Sequence, residues 1–362
     1  MQQFRRIGVL TSGGDAPGMN AVIRAIARKA KKQGVEAVGI IGGYSGLINE
    51  KLVPLNTTKV SNIITKGGTI LYSDRCPEFK TEEGMQKAIE TCKNNQIDAI
   101  VAIGGDGTFR GATDLAIRGI PTIGVTGTID NDITATDYTV GFDTAMNTVV
   151  EVLDKLRDTC ESHARCNVVE VMGRDCGQIA LRAGIAAGAM AVAIPELPFD
   201  EDAVINRIKA AKLKAKRGML IVVSEGVNTV DENGNKIRYG EILQKKIQEE
   251  TGIETKFARL AHIVRGGTPT LRDRLTASQM GVKAIDLILE GKSNLVVVEE
   301  DGKIASKDIV FALAADRMYK NKLEDGDLDR FSAEDVAKME ALCEKRRKEI
   351  KELYDIINDI AL

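Results

Sequence analysis

The residues best suited to chemistry lie between Ile97 and Asp132, in IDAIVAIGGDGTFRGATDLAIRGIPTIGVTGTIDND. Gly104-Gly105-Asp106-Gly107-Thr108 is a glycine turn that leads into a helical pattern from Phe109 to Arg118. Glycines let a backbone approach a phosphate closely, and the N–H groups at a helix start point at the anion. Thr128-Ile129-Asp130-Asn131-Asp132 then puts two carboxylates two residues apart. An anion cradle beside a pair of acids suits metal-assisted phosphoryl transfer to an alcohol. That reaction needs a hold on the donor phosphates, a cation over the moving group and a base for the hydroxyl. Taken singly, GGDG is a common tight turn and Asp-x-Asp an Asx-turn. Following consecutive strands, the two together are far more specific.

Ile97–Ile103 and Ile120–Thr126 are β-branched and nearly continuous in apolar character, which predicts buried parallel strands. Ligands of open α/β sheets sit at the carboxyl ends of such strands. A further strand, Ile7–Leu10, ends in the turn Thr11–Asp15, so SGGD and GGDG can approach one ligand from neighbouring strand ends. There the N–H of Gly14 can hold terminal phosphates, Asp106 is the natural carboxylate for Mg²⁺, and Arg75 can stabilise charge on the moving phosphoryl. Met19–Gln33 predicts a helix stopped at Gly34, Val35–Ile40 a strand closed by Gly42-Gly43-Tyr44, Val60–Ile64 a short helix, and Glu82–Asn94 a helix. The βαβα rhythm predicts a doubly wound parallel sheet.

Beyond a long helix at Phe142–Thr159 the rhythm repeats. It gives strands at Asn167–Met172, Ala191–Ile194, Met219–Val223 and Lys256–Val264, and helices at Gln178–Ala187, Glu201–Lys214 and Glu241–Glu250. Thr229–Tyr239, with Glu232-Asn233-Gly234, reads as a hairpin. Leu275–Leu289, Leu295–Glu299 and Asp308–Tyr319 supply a helix, a strand and a helix. In the tail, Ser332 and Asp335 form a capping box. Val336, Met339, Cys343, Ile350, Leu353, Ile357 and Ile360 then share one seam, interrupted by Arg346. A helix packed on its own subunit is favoured there over an intersubunit coiled coil.

At 362 residues the chain is long enough for two domains with separate cores. Lys+Arg 50 against Asp+Glu 52 leaves no general field for nucleic acid or a membrane surface. The six cysteines show neither CxxC pairs nor zinc spacing with the two histidines, and read as free thiols in a reducing cytoplasm. Met1–Arg6 is polar and Ile7 already begins a strand, so no signal peptide is expected, and no apolar run approaches a membrane span.

GGDGT followed by GTIDND, with Leu10-Thr11-Ser12-Gly13-Gly14-Asp15-Ala16-Pro17-Gly18-Met19-Asn20, resembles the 6-phosphofructokinase family over about Arg5–Met318. The resemblance implies an α/β fold of two doubly wound parallel-sheet domains with chain crossovers, to which this chain adds a carboxy-terminal helical extension. It implies an ATP-binding domain over 1–141 and 265–307, a sugar-phosphate domain over 142–264 and 308–322, and a tail over 323–362. The implied activity is ATP-dependent, Mg²⁺-requiring conversion of fructose 6-phosphate to the 1,6-bisphosphate in glycolysis, by a cytoplasmic homotetramer. Gly14, Arg75, Cys76, Gly105, Asp106, Gly107 and Thr108 fall at the family's ATP positions. Asp130 falls at its catalytic base, and Asp132, Thr128, Arg174 and Arg75 are expected beside it in catalysis. Thr128, Ile129, Asp130, Arg165, Met172, Gly173, Arg174, Glu225, His262 and Arg265 match its sugar-phosphate residues. Arginines can grip a phosphate bidentately, while Glu225 and Thr128 can satisfy sugar hydroxyls.

The departures from the family pattern are specific. Lys256 stands where an arginine of a neighbouring subunit grips the 6-phosphate, keeping the charge and losing the fork. Thr126 replaces a proline. Diphosphate-using relatives carry an acid in place of Gly107 and a lysine in place of Gly127, so glycine at both favours ATP. Arg24, Arg28, Arg157, Lys214 and Lys216 match an ADP/phosphoenolpyruvate effector site, and Arg24 and Arg28, one turn apart, repel unless an anion sits between them. Thr57, Asn62 and Met190 replace an arginine and two acids of that site, so altered allosteric regulation is expected. The rivals are a diphosphate-dependent phosphotransferase and a catalytically silent regulatory paralogue, the latter disfavoured by retention of Asp106, Asp130 and Asp132.

Overall fold

A computed structural model of the chain describes residues 4–230 and 236–360. Strand and helix alternate first as β1 (Arg6–Thr11), α1 (Met19–Lys32), β2 (Glu36–Ile40), α2 (Gly43–Ile48), β3 (Leu52–Pro54), α3 (Glu82–Asn94), β4 (Ala99–Gly104), α4 (Asp106–Ile117) and β5 (Thr122–Thr126). The middle of the chain forms α5 (Phe142–His163), β6 (Cys166–Val171), α6 (Gln178–Ala186), β7 (Ala191–Ala193), α7 (Glu201–Leu213), β8 (Met219–Ser224), β9 (Asn228–Val230), β10 (Lys236–Arg238), α8 (Tyr239–Thr251) and β11 (Thr255–Arg259). Then follow α9 (Leu271–Leu289), β12 (Leu295–Glu300), β13 (Lys303–Asp308), α10 (Ile309–Tyr319) and α11 (Ala333–Ile360).

The chain divides into two compact units. The first comprises Met1–Ile129, Ile133–Thr144 and Arg265–Glu344, and the second Asp130–Asp132, Ala145–Val264 and Lys345–Leu362. The first unit is built on a seven-stranded sheet of order β13-β12-β5-β4-β1-β2-β3. Its inner strands are parallel, while β3 and β13 pair antiparallel at the two edges. Strand β4, AIVAIG, is buried at every position, the signature of a strand covered on both faces rather than one. Helix α1 stops as expected at Gly34, whose φ of +74° suits the residue after a helix end. The second unit has an all-parallel sheet of order β11-β6-β8-β7. Strands β9 and β10 form the expected antiparallel hairpin, whose turn Glu232-Asn233-Gly234 lies outside the described residues.

Several expectations need correction. Residues 60–64 are turns rather than a helix. Asn56 Oδ1 accepts from Lys59 N at 2.8 Å, and Val60, Ile63 and Ile64 are β-branched, so local turn bonds win over helix. Helix α4 begins at Asp106 and not at Phe109, which makes GGDGT the helix start itself. Strand β11 ends at Arg259, and His262 lies in the exposed tight 3₁₀ turn Ala261–Arg265 instead of on an apolar strand. Leu260 N makes the last bond of the parallel ladder, to Glu170 O at 3.0 Å, and Ala261 then turns the chain away at φ +46°. Helix α2 and the edge strand β3 have too few residues for a periodic signal, and the edge strand β13, KIASKD, is largely polar and lacks a sustained apolar alternation.

The carboxy-terminal segments also group differently from the expected domains. Helix α10, which the family resemblance places with the sugar-phosphate domain, groups with the first unit. Asp308 ends β13 and caps α10 directly, accepting from Phe311 N at 2.9 Å, so the helix folds back onto the sheet it leaves. Ile309 and Ala312 join a core with Phe109, Leu115, Val296 and Val298. In the tail, Ser332 Oγ accepts from Asp335 N at 3.1 Å while Asp335 Oδ2 accepts from Ser332 N at 3.3 Å, the reciprocal capping box. The helix it starts packs on its own chain, with Met339, Cys343, Arg346, Ile350 and Ile357 buried, but the seam ends before Ile360, which is exposed. Its residues to Glu344 group with the first unit and those from Lys345 with the second, so 323–362 is not a separate segment. Among the described residues no helix is long and apolar enough to cross a membrane.

Candidate active site

In the first unit, β1 and β4 run side by side in parallel, with Leu10 opposite Ala102, and their carboxyl ends carry the two glycine turns. The turns are joined. Ser12 N donates to Ile103 O at 3.1 Å, and Thr108 Oγ1 donates to Ser12 O at 3.0 Å. Gly104 is dictated by that junction, because a Cβ there would lie 2.3 Å from Thr108 Oγ1 and 2.5 Å from Ser12 O. Gly107 is not dictated by packing, since a Cβ there would meet nothing within 4 Å. The N-cap of α4 is Gly105, which brings no side chain to the helix start, and the positive end of a helix attracts anions. Asp106, the expected metal carboxylate, is the first residue of that helix, and Arg110 Nη2 lies 3.6 Å from its Oδ2.

The sequence reading missed the residue that braces this turn from behind. Tyr44 Oη donates to Thr108 O at 2.6 Å, and its ring stacks on Phe79 with centroids 4.1 Å apart. Burial pushes the phenol pKa up, so it stays a donor. The available signal was a lone aromatic after Gly42-Gly43, at the end of the neighbouring strand β2. Cys76 packs against the core that contains Tyr44 and Phe79, while Arg75 is exposed. Arg265, expected at the sugar phosphate, lies against Gly14, where a Cβ would be 2.6 Å from its Nη1, and that nitrogen donates to Asp15 O at 3.2 Å.

In the second unit Asp130 and Asp132 are buried, at 2% and 8% exposure, with Asn131 between them at φ +49°. Arg174 spans both, its Nε 3.7 Å from Asp130 Oδ2 and its Nη1 3.7 Å from Asp132 Oδ2. Arg174 is in the left-handed region at φ +53°. It sits on the loop beyond β6, and Glu225, just beyond the paired strand β8, holds that loop. Its Oε1 accepts from Gly173 N at 3.2 Å and Arg174 N at 3.0 Å. Gly173 is required, because a Cβ would lie 2.4 Å from Cys176 O. Met172, Gly173, Arg174 and Glu225 are thereby gathered beside the acid pair, while Thr128 and Ile129 run directly into it along the chain.

Arg165 and Lys256 do not join that group. They flank the opposite ends of the same strands, where Lys256 is paired in register with Asn167. There Glu254 takes Arg165 Nε at 2.7 Å and Lys256 Nζ at 2.9 Å. Strand β6 has six residues, so at about 3.3 Å per residue the two sets are about 20 Å apart. Of the expected effector residues, Arg24 and Arg28 lie on α1 in the first unit, where burial and then Arg28 lower the pKa of Arg24. Arg157, Lys214 and Lys216 lie in the second unit, and Arg157 Nη2 donates to the carbonyls of Ala187 and Gly188.

The Phosphofructokinase family profile matches residues 6–288. An ATP-dependent 6-phosphofructokinase of Clostridium botulinum is 50% identical over 322 residues, which cover 89% of this chain and 98% of that protein. Among solved structures, phosphofructokinase from Saccharomyces cerevisiae aligns with a TM-score of 0.84 at 31% identity, over 98% of this chain and 50% of that one. Pichia pastoris phosphofructokinase in the T-state aligns with a TM-score of 0.83 at 30% identity, over 100% of this chain and 40% of that one. The chain thus spans half the length, or less, of the two yeast chains.

Proposed function

The chain belongs to the phosphofructokinase family, and on that footing we propose that Asp130 takes the proton from the 1-hydroxyl of fructose 6-phosphate as that oxygen attacks the terminal phosphorus of ATP, whose bond to the β–γ bridging oxygen breaks to release ADP. The activity is ATP-dependent phosphorylation of fructose 6-phosphate, a step of glycolysis. The observation that carries the assignment is the reach of Arg174 to both buried acids. A guanidinium there offsets the charge of two neighbouring carboxylates and presents donors to the incoming phosphate. Thr128 precedes the base and orients the sugar, and Glu225 fixes the loop that carries Met172, Gly173 and Arg174.

The first unit is the donor domain in this reading. Gly14, Gly105, Asp106, Gly107 and Thr108 cradle the phosphates, with Arg75 and Cys76 beside them. The open space at Gly107 supports a nucleotide's α-phosphate, whereas an acid would fill it. A lysine at Gly127 would press on Ile103, 3.2 Å from the added Cβ. Mg²⁺ takes one or two carboxylates plus phosphate oxygens. Asp106, only partly buried at the start of α4, fits that donor set beside the open side of Gly107 and would hold the ion. Bound there, the metal would offset charge on the donor phosphates.

The acceptor site is completed in a homo-oligomer. Arg165 and Lys256 serve the 6-phosphate of a neighbouring copy, which their distance from Arg174 within one chain supports. His262 and Arg265 contribute from their own chain. Free thiols at all six cysteines support a reducing, cytoplasmic setting. The effector residues Arg24, Arg28, Lys214 and Lys216 keep positive charge for an anion, while Arg157 is already engaged by carbonyls, so regulation departs from the family pattern. The central assignment is tested with Asp130→Asn, which should lower kcat by about a hundredfold or more with little change in either KM. Near-normal turnover in the folded variant would sink it.

A further inference from the structure

The loop that carries Arg174 is held at its front by Glu225 and also at its rear. Gly177 N donates to Glu196 at 2.9 Å to Oε1 and 3.1 Å to Oε2. There is no room to vary this contact, since a Cβ on Gly177 would lie 2.4 Å from Ile194 Cβ and 2.7 Å from Glu196 Oε2. Between the two anchors Cys176 N donates to Gly173 O at 3.0 Å, and Ser224 Oγ donates to Cys176 O at 3.3 Å. Gly173–Gly177 is therefore a short closed loop whose shape depends on two carboxylates.

Glu196 is partly buried, and burial raises its pKa; Gly177 N–H, the Cys176 thiol and Arg346 oppose that shift. Arg346 comes from the tail helix. It is 6% exposed, a rare state for an arginine, and it shares a helix face with Glu349, whose pairing with Arg182 turns that face to the start of α6 behind Gly177; from there its charge lowers the pKa of Glu196 and Cys176 alike. The same half of α11 is fastened around that point. Glu349 pairs with Arg182, whose Nε donates to Gln178 Oε1 at 2.9 Å on the first residue of α6. Tyr354 Oη donates to Pro198 O at 3.5 Å, and Ile350 and Ile357 are buried. An arginine buried in an otherwise apolar seam is costly, and is retained where it has a charged partner.

We propose that Arg346 is a positioning residue for Arg174, acting through Glu196 and Gly177 to hold the acceptor loop in shape, so that the tail helix forms part of the active-site framework. The inference rests on Arg174 gripping the acceptor as proposed above. It assigns a role to a residue that family motifs do not touch.

The test measures KM for fructose 6-phosphate, KM for ATP, kcat and thermal midpoint on the full-length enzyme with Arg346→Ala, Arg346→Lys and Glu196→Gln. Arg346→Ala should raise the acceptor KM by about tenfold, the effect of one lost charge-assisted contact, and move the ATP KM less than about twofold. Arg346→Lys should recover much of the loss. Combining Arg346→Ala with Glu196→Gln should do little more than either alone, because the two act in series. A lowered midpoint with an unchanged acceptor KM, a parallel rise in both KM values, or fully additive effects would each overturn the proposal. If Arg346→Ala is not recovered folded, Glu196→Gln and Arg346→Lys decide, and an unaltered acceptor KM in both refutes it. Arg174→Ala separates the premise from the inference, since an unchanged acceptor KM there removes the acceptor reading itself.

Discussion

Replacing Lys256 by alanine should weaken acceptor binding, and should do so through the neighbouring copy. Within one chain Lys256 and Arg165 share Glu254, at 2.9 and 2.7 Å, about 20 Å along the sheet from Arg174. That separation is about twice the span of a sugar phosphate, and both cations are turned to Glu254, so one copy does not present both sets to one substrate. When a 6-phosphate arrives from a second copy, Lys256 exchanges an exposed, solvent-screened ion pair, worth little, for a contact to a more highly charged group. A hydrogen bond to a charged partner contributes about 1.5–3 kcal/mol. The half-exposed ammonium belongs at the low end, which predicts a rise of about tenfold in the acceptor KM for Lys256→Ala. The ATP KM should stay within about twofold, a few tenths of a kcal/mol. Lys256→Arg should restore or improve affinity, because a guanidinium adds a second parallel donor. Glu254→Gln should lower the acceptor KM, because it removes the competing carboxylate. The decisive assay co-expresses Lys256→Ala and Arg174→Ala chains with different tags and isolates the hybrid. At low fructose 6-phosphate the hybrid should exceed both parents, since some sites combine an intact Arg174 with an intact Lys256. An unchanged acceptor KM in Lys256→Ala, or hybrid activity no greater than the parental average, would refute the reasoning.

Tyr44→Phe keeps the ring stack on Phe79 and deletes one hydroxyl. Losing the 2.6 Å bond to Thr108 O should raise the ATP KM by about fivefold, from about 1 kcal/mol, with the acceptor KM unmoved; equal ATP KM values in mutant and wild type would show that the phenol does not brace the turn. For the donor, the wild type should use ATP and use diphosphate poorly, and Gly107→Asp should cut ATP use by filling the open space beside the helix start. Wild-type turnover with diphosphate equal to that with ATP would show that Gly107 does not define the donor.

The proposed role of Arg346 gives the second half of α11 a reason to be charged inside its own seam. Arg346 interrupts a run that includes Met339, Cys343, Ile350 and Ile357, all buried. Read by periodicity alone, it looks like an interruption. Its charge offsets that of Glu196, a partly buried carboxylate.

The two glycine turns, the acid pair and the strands beneath them were legible in the sequence. Each of these is a local device. A glycine turn after a buried strand and a helix start is complete within about a dozen residues, and its chemistry is written in contiguous residue types. The main helices were legible for the same reason, as were the stop at Gly34 and the capping box of Ser332 and Asp335. Tertiary structure decided which distant residues meet. Arg165 and Lys256 matched the same family site as Arg174, and only the parallel pairing of β6 with β11 shows that they sit at the other end of the sheet. His262 could be judged strand or turn only once the β11–β6 pairing was seen to end at Arg259 and Ala261 to turn at φ +46°. Helix α10 joined the first unit because Asp308 caps it where β13 ends, a geometry that composition does not encode. Tyr44, Glu196 and Arg346 act through single contacts to backbone or charge across 64, 19 and, by position, more than a hundred residues. No periodic pattern marks such residues, because their partners are chosen by the packing of whole elements and not by their neighbours in the chain.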